Sequence, residues 1–321
     1  MTFEKPNDHM PTENKETIQA ERITLLPESS HISIEKIIEH FGEDQKVIVC
    51  DFYLDNIESR GEEKPYGLQF NNIINIDHHA PIRAMERPVS SSTLAIDYVK
   101  EFGTQKESTI VVNHTDCDST LSSSIIRGAL PPDQKFSNAA IAADHTGESN
   151  QIADLLQALD ARRDLDFSLR NLSLLLNGQK IEEEAAKLLE KRLNDRERAQ
   201  SFVDSGAFKF LGPIAYAETD TNFDGAFLPS LLPESSVILL GTPIKDKEDK
   251  STEDLNEVKV RLGNNGPKGL TLASLHLGET DIHCFGRWNA MSNRRFGGTK
   301  LSIEECAKIV ADSLSIYSVS K

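Results

Sequence analysis

The run NNIINIDHHAP, residues 71–81, decides how this chain is read. Ile73, Ile74, Asn75 and Ile76 make a short, mostly β-branched apolar segment, the pattern of a buried strand in a parallel sheet. Asp77, His78 and His79 follow at once, so a carboxylate and two imidazoles stand just past the strand's carboxyl end. In open α/β sheets ligands bind outside those ends. Taken alone, the triplet would serve equally well to cap the next helix. Its weight depends on what other strands deliver to the same edge.

Upstream, residues 46–50 read as a buried strand ending on Asp51, preceded by a short helix in SIEKIIEHFG with Ser33 as its cap and Gly42 as its stop. Between the two strands, YLDNIESRGEEKPYG reads as a solvated connection. Downstream, SSSTLAIDYVKEFG predicts an amphipathic helix capped by Ser91 or Ser92 and closed by Gly103, with Leu94, Ile96, Val99 and Phe102 as its apolar set. Residues 109–112 form a third buried strand that continues into His114, Asp116 and Asp118. In extended chain, residues two apart share a side, so these three can line one edge of a cavity. A helix opening within residues 119–124 would favour an anion at its start. In FSNAAIAADHTGE a fourth strand is expected over residues 139–143, leading to Asp144, with His145 as a hydrogen-bonded neighbour.

The pattern turns helical from about residue 151, and the charged segment 179–204 reads as a helical connector. Strand-like runs return from residue 205: FKFLGPIAYAET, SVILLGTP, EVKVRLG and TLASLHLG, with the polar run 245–257 as an exposed hairpin loop. HCFGRWNAMSNRRFGGTK carries Arg287, Arg294, Arg295 and Lys300 with no acidic residue from 285 to 300. With Gly297, Gly298 and Thr299, this segment suits a backbone nest and guanidinium clamp for phosphate, and Asn289 lies within it. IEECAKIVADSLSIY predicts a closing amphipathic helix. The organisation expected is a flexible tail (1–21), a metal-binding catalytic domain (22–178), the connector (179–204) and a substrate-binding domain (205–321). The fold class is α/β: a doubly wound, mostly parallel sheet domain, then the connector and a smaller α/β domain.

Composition narrows the function. With 35 basic and 51 acidic residues, the net charge of −16 argues against a surface that grips long nucleic acid. The 4 cysteines are scattered without a CxxC pair, no apolar run is long enough to span a bilayer, and the N-terminus lacks a signal-peptide core. A reduced, cytoplasmic enzyme or binding protein is expected, with oligomer formation left open. Asp51, the 77–79 triplet, His114, Asp116, Asp118 and Asp144 together form a mostly carboxylate set with imidazoles. Such a set suits Mn²⁺ or Mg²⁺ better than structural zinc. Paired divalent ions favour hydrolysis of a phosphoester or phosphoanhydride.

These residues resemble the DHH phosphoesterase superfamily. Asp77-His78-His79 is similar to its DHH motif, Asp51 to the lone aspartate one strand earlier, SSSTLAIDYV to the serine-rich helix start, and Asp144 in IAADHTG to the later aspartate motif. HTDCDS resembles the family's first motif but lies after DHH instead of at the N-terminus, as in an internal permutation. RWNAMSNRRFGGT stands where a GGGH signature is usual in the associated C-terminal domain. The resemblance implies one metal ion on His114, Asp116 and Asp51, and another on Asp118, Asp51, His78 and Asp144, with Asp51 bridging. It gives His79 to the substrate phosphate or leaving group, Asp77 to orienting an imidazole, and Arg287, Arg294 and Arg295 to the non-scissile part of the substrate. The activity implied is hydrolysis of a small phosphorylated substrate: a short oligonucleotide, a cyclic dinucleotide or a nucleoside bisphosphate. The alternatives are an inorganic pyrophosphatase or short-chain exopolyphosphatase, and a non-catalytic binding or scaffold protein of the same fold.

Overall fold

The computed structural model describes residues 23–27, 32–79, 88–221, 223–244 and 255–319. The tail expected over residues 1–21 and most of the run at 245–257 lie outside them. The chain is α/β, built on two six-stranded sheets. The first contains β1 (Ile23–Leu25), β2 (Val47–Cys50), β3 (Glu62–Lys64), β4 (Gly67–Phe70), β5 (Ile73–Ile76) and β6 (Thr109–Val112), in the order β1-β6-β2-β5-β4-β3. β1, β6, β2 and β5 are parallel, while β4 and β3 extend the edge in antiparallel fashion.

Side chains alternate across this sheet, and each face is buried under helices. Ile48, Cys50, Ile74, Ile76, Ile110 and Val112 point into a core shared with α3 (Ser91–Phe102), α4 (Cys117–Arg127), α5 (Gln134–Ile141), α6 (Gln151–Leu159) and α7 (Leu165–Leu176). Val47, Val49, Ile73 and Val111 point the other way, against α1 (Ile34–Phe41) and α2 (Ile57–Arg60). Two-sided burial explains why β2, β5 and β6 read as near-continuous apolar runs. Ser33 caps α1 and Gly42 ends it, as expected.

Several expectations are corrected. The cap of α3 is Ser90, not Ser91 or Ser92: Ser90 Oγ accepts from Thr93 N at 3.1 Å in a capping box. The supposed solvated connection contains α2, β3 and the start of β4, anchored by the fully buried Leu54 and Ile57. β1 had no counterpart in the sequence reading. Residues 139–143 are not a strand; they continue α5 into a π-helical turn, Ala142–Thr146. There Asp133 caps the helix, and the helix propensity of alanine outweighs the small apolar pattern.

The second sheet holds β7 (Lys209–Leu211), β8 (Ile214–Glu218), β9 (Val237–Pro243), β10 (Asn256–Leu262), β11 (Phe285–Arg287) and β12 (Ala290–Ser292), in the order β11-β12-β10-β9-β8-β7. Only β8 and β9 pair in parallel; the other pairings are antiparallel. α8 (Glu183–Asp204) leads into it, α9 (Leu228–Leu231) packs beneath, and α10 (Ile303–Val319) lays Ile303, Cys306, Ala307 and Val310 on Ile214, Leu239 and Val258. TLASLHLG is not a strand but two 3₁₀ turns, Ala273–Leu275 and Leu277–Glu279. Ser274 Oγ donates to Thr271 O at 2.6 Å, a local bond that competes with a ladder. Among the described residues no helix is long and apolar enough to cross a membrane.

Candidate metal centre

Three adjacent parallel strands deliver polar residues to one edge: Asp51 after β2, Asp77-His78-His79 after β5, and the 114–118 turn after β6. The backbone fixes Asp51, whose N–H donates to Ile76 O at 3.0 Å. Asn75, buried within β5, donates to Phe52 O at 2.9 Å and accepts from Leu54 N at 3.3 Å, so both sides of its amide hold the turn that carries Asp51. Asp51 has φ 62°, a left-handed conformation that Asp and Asn tolerate better than most residues. Its carboxylate is fully buried; Oδ1 accepts from Ser91 Oγ at 2.8 Å and Oδ2 lies 3.1 Å from His114 Nε2.

His114, Asp116 and Asp118 converge, but not by strand alternation. β6 stops at Val112, Asp116 is the N-cap of α4 and accepts from Ser119 N at 3.0 Å, and Asp118 sits in the helix's first turn. Asp118 also receives the N–H groups of Ser91 at 2.6 Å and Ser92 at 2.7 Å, so a residue of α4 caps α3. A carboxylate there is favoured by the helix dipole. Asp144 arrives from the π-helical turn instead of a strand end.

His78 supplies the test of whether cations fit. Its Nε2 is buried and makes no hydrogen bond, although it faces Asp51 Oδ1 at 3.5 Å, Asp118 Oδ2 at 3.5 Å and Asp144 Oδ2 at 3.6 Å. Asp77 Oδ2 and His79 Nε2 are likewise buried without partners. Donor atoms of Asp51, His114 and Asp116 lie within 4.8 Å of one another, as do those of His78, Asp118 and Asp144, and those of Asp51, His78 and His79. The buried, unpartnered Nε2 atoms of His78 and His79 among converging carboxylates fit bound divalent cations, and the oxygen-rich set matches hard or borderline ions.

The electrostatics agree. Burial and the Asp51 charge push Asp118 well above the usual carboxylate range, and burial with Asp116 raises Asp144 to about 7. Against burial, which disfavours their charge, the surrounding carboxylates hold His78 up at about 10 and His114 at about 12. Asp51 is held well below the usual range because the His114 and His78 imidazoles beside it outweigh its burial. His79 differs: burial lowers it despite Asp77, whose Oδ1 lies 2.6 Å from Nδ1.

A cavity of about 740 Å³ opens from this cluster toward the second sheet. His78, Asp116 and Asp144 line one wall; Arg261, Arg287, Asn289, Arg294 and Arg295 line another. Arg261, on β10, was missed by the sequence reading. The available signal was its spacing from Lys259, two residues along an alternating strand, which puts both on one face. Gly297, Gly298 and Thr299 are not among the cavity's lining residues. Thr299 Oγ1 instead donates to Asp281 O at 3.2 Å, and its backbone bridges Asn256.

Asn289 lines the cavity and also reaches the acidic wall. Its Nδ2 donates to Asp144 O at 2.7 Å and lies 3.3 Å from His145 Nδ1. His145 is buried and held well below its ordinary range by burial and by His78; its Nε2 bonds Val89 O at 2.9 Å and its ring lies edge-on to His78 at 5.2 Å. Asn289 therefore positions Asp144 and, through His145, the ring of His78. Asn289→Ala is expected to lower kcat/KM by roughly 10–100-fold with a smaller loss of metal-induced thermal stabilisation. Steady-state kinetics beside a melting curve check this; unchanged kinetics would leave Asn289 a purely structural link.

No protein-family profile matches the chain, and no curated protein is similar to it. Solved structures with some likeness include the pGpG-specific phosphodiesterase PggH from Vibrio cholerae, with 9% identity and a TM-score of 0.39, covering 68% of this chain and 78% of that one. An exopolyphosphatase-related protein from Bacteroides fragilis shows 14% identity and a TM-score of 0.36 over 88% of this chain and 75% of its own. An uncharacterised protein from Helicobacter pylori shows 9% identity and a TM-score of 0.23 over 83% and 99%.

Proposed function

We propose that this chain is a DHH-type, metal-dependent phosphoesterase that hydrolyses a small phosphorylated substrate, with a nucleotide preferred over pyrophosphate. The observation that carries the reading is His78 Nε2, buried and unbonded among three carboxylates. Asp51, His114 and Asp116 would hold one ion, and Asp51, His78, Asp118 and Asp144 the other, Mn²⁺ or Mg²⁺. When bound, such a pair lowers the pKa of water and clamps the attacking and leaving oxygens of a phosphoryl displacement.

The chain's own residues do the remaining work. Ser91 Oγ and the Ser91 and Ser92 amides lock Asp51 and Asp118 in place before substrate arrives. Asp77 would accept from His79 Nδ1–H, which orients the ring and turns Nε2 toward the substrate phosphate or leaving group. Arg287 and Arg261 face the acidic wall across the cavity and would bind the non-scissile anionic part.

Hydrolysis in Mn²⁺ of a 5′-phosphorylated dinucleotide, a nucleoside 3′,5′-bisphosphate, an aryl phosphodiester and pyrophosphate tests this. The expected result is turnover of nucleotide substrates that disappears in the Asp116→Ala/His78→Ala double variant. A preference for pyrophosphate would move the chain to the pyrophosphatase reading. Absence of both turnover and Mn²⁺-induced stabilisation would leave a binding protein.

A further inference from the structure

We propose that Phe285 and Phe296 form a stacking platform for the base of the substrate, and so determine specificity at the far end of the cavity. This rests on the phosphoesterase reading and adds to it which residues distinguish a nucleotide from a simple phosphoanhydride. Phe285 opens β11 and Phe296 closes the 3₁₀ turn Arg294–Phe296, so the pair joins separate segments of the second sheet's edge. Their ring centroids lie 4.4 Å apart at 42°, yet Phe285 is 46% exposed and Phe296 56%. Both line the same cavity as His78, Asp116 and Asp144.

Two further observations give that exposure a direction. Gly278 leaves the space occupied by the Phe285 ring, since a Cβ there would fall 2.3 Å from Cε1; the ring is held in place from behind while its other side faces the cavity. Around the pair stand Arg261, Arg287 and Arg295, which have no hydrogen-bond or ion-pair partner among the described residues, whereas Arg294 is engaged by Glu257 at 3.4 Å. Aromatic faces interleaved with unpaired guanidiniums match a ligand that alternates planar bases with phosphates. A pyrophosphate would use the guanidiniums and leave the rings in water. The cavity's volume of about 740 Å³ also lies within the range of sites for ligands well beyond a diphosphate in size.

The test compares wild type, Phe285→Ala/Phe296→Ala and Phe285→Tyr/Phe296→Tyr on a 5′-phosphorylated adenine dinucleotide, its abasic analogue and pyrophosphate. In the alanine pair, KM for the dinucleotide should rise roughly 5–100-fold with little change in kcat. KM for the abasic analogue and pyrophosphate should stay put, and the tyrosine pair should behave as wild type. An equal KM rise on all substrates, or none on the dinucleotide, overturns the platform. Trp288, the single tryptophan of the chain, gives a binding readout that needs no turnover. If wild type hydrolyses nothing, the phosphoesterase reading fails by itself. The platform then stands only if the dinucleotide still changes Trp288 fluorescence and the alanine pair weakens that binding; equal affinity or no binding overturns it.

Discussion

Asp51→Asn is expected to lower kcat/KM by on the order of 10³-fold or more and to erase the thermal stabilisation by Mn²⁺. Asp51 belongs to two of the convergent donor groups, so its loss reaches both proposed ion positions. It is also the shared electrostatic partner: His114 Nε2 bonds to it at 3.1 Å, His78 Nε2 faces it at 3.5 Å, and its charge raises Asp118. Asparagine keeps the size of the side chain and suits the left-handed backbone at φ 62°, so the fold survives and the effect reports on the charge. Alanine would add backbone strain and confuse the two. Kinetics with a melting curve in Mn²⁺ decide the matter. An Asp51→Asn protein that retained most of its turnover would remove Asp51 from the reacting centre.

The second large effect is a metal-dependent reversal in how stability follows pH. Without metal, Asp144 keeps its proton up to about 7 in the folded chain, whereas the ordinary value is 3.8. Between those values the folded state binds more protons than the unfolded one, so stability falls as pH rises. Asp118, raised well above the usual range, acts with the same sign. His78, held at about 10, contributes stability that is complete below 6.5 and is lost as pH climbs toward 10. The lowered Asp51 and Asp116 oppose this trend only below about 3.8, and the lowered His79 and His145 oppose it below about 6.5. Metal binding requires these carboxylates ionised and the imidazoles neutral, so affinity rises with pH and protons are released. At a metal concentration of about 1,000 Kd the gain is roughly 4 kcal/mol, about 8 °C for a chain of this size. The gap between Mn²⁺-loaded and chelated melting temperatures should widen from about pH 5.5 to about pH 8. A constant gap would mean that the ion does not sit among these groups.

Much of the first sheet was legible because burial on both faces writes an unmistakable pattern. Residues 47–50, 73–76 and 109–112 are apolar apart from Asn75 and Thr109, and each is followed within two residues by a candidate ligand. What the pattern could not convey was how the ligands are presented. His114, Asp116 and Asp118 look like alternate residues on a strand, yet helix capping brings them in, since Asp116 starts α4 and Asp118 caps α3. Asp144 was found for the wrong reason: a run of alanines is as small in a helix as in a strand, and only packing decides. β3 and β4 were hidden because an edge with Glu62, Glu63 and Lys64 exposed or half-buried has no apolar alternation to read. Arg261 and the pairing of Phe285 with Phe296 depend on contacts between distant segments, which no local spacing records.

The link through Asn289 carries a consequence for modularity. The hairpin that brings Arg287 to the cavity also supplies the amide that braces Asp144 and the ring that stacks on His145, Trp288. On the other side of the same π-helical turn, Gly147 O accepts from Arg196 at 2.7 Å and Ser230 at 2.8 Å. The second sheet is thus not an interchangeable cartridge that merely chooses the substrate. Grafting a different recognition unit onto the first sheet would withdraw struts from beneath the carboxylate–histidine cluster itself. Any new specificity obtained that way must import an equivalent of Trp288-Asn289 along with its binding residues.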